Sequence, residues 1–302
     1  MWGAAAQGWQ IGHRWSQDQH TLHINELELT AAFLALQPFK KDFCQGCILL
    51  EMDNIAAVAA VNRMGSCRSS GLNRVATEIW SWCLERGLQV RAQYIPGRLN
   101  TVADRASRTL MDCSSWKLSP AIFQKIDKLW GPILTDLCAD LSNHQVPHYF
   151  SWKPDPYSAA VDAFCQDWSS PGLYAFPPFC LVSQCLSKMQ SCKGNLILVA
   201  PVWPSQPWYA SLLLLSVAEP RILPSLQDLL QNSLQHRHPL LEEGNLSLAA
   251  WKVSSSQLTI EAFQNSLALP QRCRTLRLPT LLPDVGKAAG VVKERLIRFV
   301  PL

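Results

Sequence analysis

The run Cys47-Ile48-Leu49-Leu50-Glu51-Met52-Asp53-Asn54 passes directly into Ile55-Ala56-Ala57-Val58-Ala59-Ala60-Val61-Asn62 and stops at Gly65. The first stretch is short and apolar, as a buried strand is. The second is a continuous helical pattern that a glycine ends. A strand that runs through an acidic residue into a helix is a building unit of α/β folds, which place their ligand sites at the carboxyl ends of strands. Asp53 stands at such an end, so this one segment restricts the fold class and singles out a residue.

The neighbouring pattern extends the unit. Met1 to His23 reads as the end of one strand followed by short hairpin strands around Trp9-Gln10-Ile11 and Thr21-Leu22-His23. From Asn25 the period becomes helical, with Leu27, Ala31, Leu34 and Ala35 near one face, and Pro38 marks its end. A further helix is expected from Ser70 or Gly71 to Gly87, then a strand over Leu88–Gln93 and a helical turn from Asn100 or Thr101 through Ala106. Ser114 to Ser119 reads as a boundary. Beyond it, short strands are expected at 135–138, 160–164, 173–176, 196–200 and 248–253, with helices near 120–130, 181–191 and 207–217. The alternation predicts a second α/β domain with a largely parallel sheet. The resulting division is 1–113, 114–253 and a basic linker or tail over 254–302, with a helix near Val291–Phe299.

Composition narrows the class. The chain has 302 residues, 48% of them hydrophobic, enough for a large core. Its net charge of +4 lies in the tail: residues 254–302 hold 7 Lys+Arg against 3 Asp+Glu, whereas the rest is balanced. That balance alone does not define a nucleic-acid surface. Eleven cysteines, odd in number and scattered, suit reduced thiols in a cytoplasmic or nuclear protein. Cys44-Gln45-Gly46-Cys47 lacks the second pair a four-thiolate zinc site needs. Prolines 201, 204 and 207 interrupt the most apolar stretch, and no membrane segment is expected.

Three acidic residues carry the candidate chemistry: Glu28 on the first helix, Asp53, and Asp104 in Asn100-Thr101-Val102-Ala103-Asp104-Arg105-Ala106-Ser107-Arg108. Singly, each has a plainer reading. Glu28 lies three residues after Asn25, the spacing of a capping box; Asp53 suits a helix N-cap; Asp104 suits an ion pair with Arg105 or Arg108. Together, carboxylates from separate elements can converge. Phosphodiester hydrolysis by two Mg²⁺ ions, about 3.5–4 Å apart, requires such hard oxygen ligands.

Order and context add a resemblance. Leu27-Glu28-Leu29-Thr30-Ala31-Ala32-Phe33-Leu34-Ala35-Leu36, then Asp53-Asn54, then Ile95-Pro96-Gly97-Arg98-Leu99-Asn100 with Ala103-Asp104 and Ser107-Arg108, resemble a retroelement ribonuclease H domain over about residues 1–110. The resemblance implies a ribonuclease H-like mixed five-stranded sheet flanked by helices, RNA–DNA hybrid as substrate, and Glu28, Asp53 and Asp104 as three of four Mg²⁺-binding carboxylates. The fourth belongs on a first strand that would precede Met1, and Tyr94 stands where the family often has a histidine. Impaired hydrolysis is therefore expected.

The second half has its own resemblance. Thr135-Asp136-Leu137-Cys138-Ala139-Asp140, Tyr149-Phe150-Ser151-Trp152, Asp162-Ala163-Phe164, Asp167-Trp168, Phe176-Pro177-Pro178-Phe179 and Ala200-Pro201-Val202-Trp203-Pro204 resemble the region after ribonuclease H in DIRS-type, tyrosine-recombinase retrotransposons. That region is similar to Dam-type adenine methyltransferases, of Rossmann-like fold. Reverse transcriptase and tyrosine recombinase regions of the same element are the implied partners. In the methyltransferase signature Asp/Asn-Pro-Pro-Tyr/Phe a side-chain oxygen accepts from the amine to be methylated and the aromatic ring stacks on the flipped base. Phe176 has no such oxygen, and no glycine-rich loop for S-adenosylmethionine is present, so neither this cofactor nor methylation is expected. Phe176–Phe179 reads instead as a rigid turn. The alternative for the whole chain is a non-catalytic nucleic-acid-binding protein, with Trp80, Trp82, Arg98 or Arg108 near the backbone of a hybrid, or an inactive relic.

Overall fold

The computed structural model describes residues 1–6, 8–15, 18–39, 46–66, 68–109, 115–232, 236–267, 288–293 and 295–302. The chain is mixed α/β and divides into two compact units, Met1–Asp112 with Pro154–Ser158, and Cys113–Lys153 with Ala159–Leu302. The placement of Pro154–Ser158 with the first unit is an excursion that a single boundary after residue 113 does not anticipate.

In the first unit, strands β1 (Trp2–Ala6) and β2 (Trp9–His13) form an antiparallel hairpin. The expected strand at Thr21–His23 is absent. Asp18–Thr21 is a 3-10 turn in which the Thr21 hydroxyl donates to the Asp18 carbonyl, and His23 caps helix α1 (Ile24–Leu36). Strand β3 (Gly46–Met52) leads into helix α2 (Ile55–Asn62), which is followed by helix α3 (Ser70–Leu84), strand β4 (Leu88–Tyr94) and helix α4 (Thr101–Thr109). Helix α3 buries Leu72, Val75, Ala76, Ile79 and Cys83, a three- and four-residue spacing that makes one apolar stripe. The Ser69 hydroxyl starts it by accepting from the Leu72 amide. Strand β4 alternates buried Leu88, Val90 and Ala92 with exposed Gln89, Arg91 and Gln93. It pairs in parallel with β3 over its whole length. Leu29 of α1, Ala57 and Val61 of α2, Ile79 and Cys83 of α3, and the inward residues of β4 share one core. Each fully buried Leu, Ile or Val side chain there contributes about 1.5–3 kcal/mol.

The four strands of this unit form two separate pairs, β1 with β2 and β3 with β4, rather than one five-stranded sheet. Strand β3 is also less buried than its apolar sequence predicts, with Leu49 52% exposed. Among the described residues, β1 and β3 each have a strand neighbour on one edge only.

The second unit begins with strand β5 (Lys117–Leu118) and helix α5 (Pro120–Trp130), which starts with proline in its first turn and buries Ile122, Phe123 and Ile126. Strands β6 (Thr135–Asp136), β7 (Phe150–Ser151), β8 (Ala160–Val161) and β9 (Leu173–Ala175) follow. The strand expected to reach Phe164 stops at Val161, because the Asp162 carboxylate accepts from the Phe164 amide and turns the chain at φ +56°. Next come helix α6 (Val182–Ser191), strand β10 (Asn195–Pro201) and helix α7 (Pro207–Leu215). Strands β11 (Arg221–Ile222) and β12 (Leu230–Gln231), helix α8 (Pro239–Glu242), strand β13 (Leu248–Ser254) and helix α9 (Gln257–Ser266) complete the body.

The segment expected as a linker carries ordered elements. Where a helix was expected near Val291–Phe299, strands β14 (Ala288–Val292) and β15 (Arg295–Arg298) form a hairpin, and β16 (Val300–Pro301) joins the main sheet. Val291, Val292, Ile297 and Val300 are β-branched, and Lys293 takes a positive φ of 47°, which together favour a turn between strands over a helix. The six-stranded sheet has the order β16-β11-β13-β10-β9-β6. Strands β6, β9 and β10 are parallel, and β13 runs against both β10 and β11. From Leu196 to Pro201, β10 is buried at every position, as a central strand covered on both faces must be. Trp251 of β13 is fully buried against the rings of Tyr209 and Phe299.

Among the described residues, no helix is long and apolar enough to cross a membrane.

Candidate carboxylate site

Glu28, Asp53 and Asp104 line one pocket of about 130 Å³, together with Asn100 and Ser107. Three elements supply them: the first turns of α1, the turn just past β3, and the first turn of α4. The local reasons are specific. Helix α1 is capped by the His23 ring, whose Nδ1 accepts from the Asn25 amide at 3.1 Å. The capping box expected of Asn25 and Glu28 is therefore not formed, and Glu28 faces the pocket. Helix α2 is capped by Asn54, whose Oδ1 accepts from the Ala57 amide at 3.0 Å, and not by Asp53. Asp53 is thus exposed beside the pocket, with a carboxylate oxygen packed over Gly97. The Ile-Pro-Gly turn is held there because the Ile95 amide donates to the Met52 carbonyl at 2.9 Å.

Asp104 keeps its plainer reading as well as its place. Its Oδ1 accepts from Arg108 Nε at 3.0 Å and Nη2 at 2.9 Å, an exposed pair one helical turn apart. Glu28 and Asp53 are the coupled pair. Burial, and then the negative charge of Asp53, push the Glu28 carboxyl above its ordinary 4.5. Two oxygen-bearing groups that repel each other suit a hard divalent cation, whose charge would reverse the sign of that interaction. Among the described residues, however, no group of three His, Cys, Asp or Glu side chains is arranged to hold a metal ion. The fit thus rests on Glu28 and Asp53, with Asp104 across the same pocket engaged by Arg108.

One pair escaped sequence reasoning. Asn54 Nδ2 donates to Asn25 Oδ1 at 3.0 Å and so ties the helix bearing Glu28 to the strand end bearing Asp53. The signal was the adjacency of Asn54 to Asp53 and of Asn25 to the helix start. Residues proposed for a hybrid-binding surface are partly occupied elsewhere. Trp80 Nε1 donates to the Val61 carbonyl at 2.9 Å, and Trp82 lies under the Arg86 guanidinium at 4.5 Å. Tyr94 is exposed at the end of β4. Cys44 lies outside the described residues.

In the second unit, Asp136 ends β6 and is 3% exposed. It accepts from the amides of Gln145 at 3.1 Å and Cys138 at 3.4 Å. Burial nevertheless pushes its carboxyl up to about 7, against these bonds and the charge of Lys117. Phe179 packs edge-on to Trp203 at 5.2 Å and lies 6.1 Å from the His238 ring. It is a half-buried part of the core, in keeping with a turn leaving the sheet.

No protein-family model matches the chain, and no curated protein matches it either.

Proposed function

We propose that the first unit is a ribonuclease H-type domain that binds RNA–DNA hybrid at the carboxylate pocket and hydrolyses its RNA strand weakly. The observation that carries this reading is the convergence of Glu28, Asp53 and Asp104, from three elements, on one pocket. Glu28 and Asp53 would hold a Mg²⁺ ion, which when bound supplies charge neutralisation at the phosphate and an activated water. The protein's own part is to fix the pair, through the Asn25–Asn54 bond and the Ile95 amide, and to present Gly97 and Asn100 beside it. Cleavage is weak because Asp104 is engaged by Arg108 and the pocket assembles no three-ligand group among the described residues. The second unit is proposed as a methyltransferase-like α/β domain without bound S-adenosylmethionine, a reading its parallel β6, β9 and β10 support.

The test is a labelled RNA–DNA duplex incubated with the purified chain and Mg²⁺, beside Asp53→Asn. Slow cleavage that the substitution abolishes is expected. Binding without cleavage in either protein would leave a non-catalytic hybrid binder. Absence of hybrid binding overturns both.

A further inference from the structure

In the second unit, strand order marks a place for a ligand. The Asp136–Tyr149 bridge sets β7 beside β6, and β8 pairs in parallel with β7, while β9 and β10 follow on the other side of β6. The chain thus runs outward through β6, β7 and β8, then restarts at β9 and goes the opposite way. In open α/β sheets, the crevice beyond the carboxyl ends of the strands at such a reversal is where ligands bind. Its walls here are the loop after β6, residues 137–148, and the turn after β9, Phe176–Phe179. Among the described residues no helix joins β6 to β7, so this crevice lacks the helix N-terminus that holds a phosphate in such folds.

A segment of the chain itself lies across the crevice. Ser115 Oγ donates to Asp140 Oδ2 at 2.7 Å, Asn143 Nδ2 donates to the Trp116 carbonyl at 3.4 Å, and Gln145 Nε2 donates to the Leu118 carbonyl at 2.7 Å. Ser115–Leu118 is tied in this way to the first wall. That wall is itself fixed, because the Gln145 amide donates to Asp136 Oδ2 at 3.1 Å and the Ser142 amide to Asp140 Oδ1 at 2.7 Å. Toward the second wall, the Trp116 ring packs on the His238 ring at 4.7 Å. His238 lies 6.1 Å from Phe179, which packs edge-on to Trp203 just past the end of β10. Trp116, Phe176, Phe179 and Trp203 are all half-buried against one core cluster.

We infer that Ser115–Leu118 is a strap seated in the crevice, with the Trp116 ring in the place of a planar, uncharged ring ligand, and that such a ligand binds by displacing the strap. Aromatic walls favour a flat ring, and a crevice without a helix N-terminus offers no anion site, which sets the charge. One hydrogen bond to a carboxylate, two neutral ones and a ring contact hold the strap. A ligand binds only the molecules in which all of these are released, so its apparent affinity is the intrinsic one scaled by the fraction that is open. The strand order and the strap contacts carry this inference, and a failed nuclease assay leaves it unchanged.

The probe is adenosine, titrated by calorimetry against the whole chain, with amide hydrogen exchange read at Trp116 and Lys117. In the parent protein adenosine should bind weakly and speed exchange at these two amides, the reverse of the protection a ligand ordinarily gives. Ser115→Ala removes the bond to Asp140 and should both speed strap exchange and tighten adenosine binding by about tenfold. Trp116→Gly should tighten it further. Retained circular dichroism and unchanged protection of Leu196–Ala200 show that the variants are folded, and the measurement on the parent stands without them. Adenosine that slows exchange in the strap, or leaves it unchanged up to the solubility limit, overturns the inference. So does a folded Ser115→Ala protein whose strap opens with no gain in adenosine affinity. Adenosine monophosphate binding at least about tenfold tighter than adenosine overturns the uncharged class.

Discussion

At the residue scale, Glu28 carries a cost in stability at neutral pH. Its carboxyl is raised by burial and by Asp53, so the fold favours the protonated form. The stability this gives is complete below the ordinary value of 4.5 and is lost as pH rises through the folded value. Glu28→Gln should therefore melt above the parent protein at pH 7, with the gap closing below pH 4.5. Mg²⁺ should raise the parent's melting temperature and leave the variant's nearly unchanged, if the cation binds the folded pair. A variant that melts lower than the parent at pH 7 would sink the argument. The convergence of Glu28, Asp53 and Asp104 on one pocket was legible in the sequence, but their individual states were not. Which residue caps a helix depends on backbone geometry within one turn, and His23 and Asn54 took positions that Asn25 and Asp53 fit equally well by spacing. The Arg108 pair was legible because its partner lies one turn away on the same helix.

At the element scale, β1 is fixed from one face by α4. A Cβ on Gly3 would collide with the backbone of Ala103 and Ser107, so only glycine lets strand and helix approach this closely. Gly3→Val should destabilise the first unit by about 1–3 kcal/mol, the usual cost of overpacking, and displace the helix that carries Asp104. Urea unfolding followed at Trp2 and Trp15, whose rings lie 6.2 Å apart, reads the effect, and an unchanged midpoint would refute it. Most elements could be read from periodicity: α3, β4, α5, α6, β10 and β13 lie close to where their apolar spacing puts them. Three failures share a cause. Thr21–His23, Asp162–Phe164 and Val291–Phe299 are short segments in which a side-chain cap, an Asx turn or a positive φ outweighs the local pattern. The exposure of β3 was illegible for another reason, since an apolar run reports what a strand can bury and not whether a neighbour is there.

At the scale of the whole molecule, the two units answer differently to acid. In the second, Asp136 is held up to about 7, so its stabilising effect is complete below the ordinary 3.8 and is lost as pH rises through about 7. Asp140 has the opposite sign. Burial pushes it up, but hydrogen bonds from Ser142 and Ser115 outweigh that and hold it below 3.8, so its contribution is lost as pH falls through its folded value. The second unit should accordingly be most stable near pH 4, with a loss on the order of a few kcal/mol that accumulates between about pH 4 and 7 and levels off above it. Asp136→Asn should flatten the fall of a melting-temperature profile between about pH 4 and 7; an unchanged slope there would count against the buried acid as its source. A buried ionisable residue at a strand end cannot be told from an exposed one by sequence, and for that reason Asp136 and Asp53, so alike in context, have opposite environments.

At Ala92 the outer side of β4 is closed by a side-chain amide. Asn62 of α2 donates to the Ala92 carbonyl and accepts from the Ala92 amide, both at 2.8 Å. A strand from a neighbouring molecule would need those same two groups to extend the ladder there. Asn62 thus occupies the pairing groups of Ala92, and at that position β4 offers no backbone donor or acceptor to a further strand.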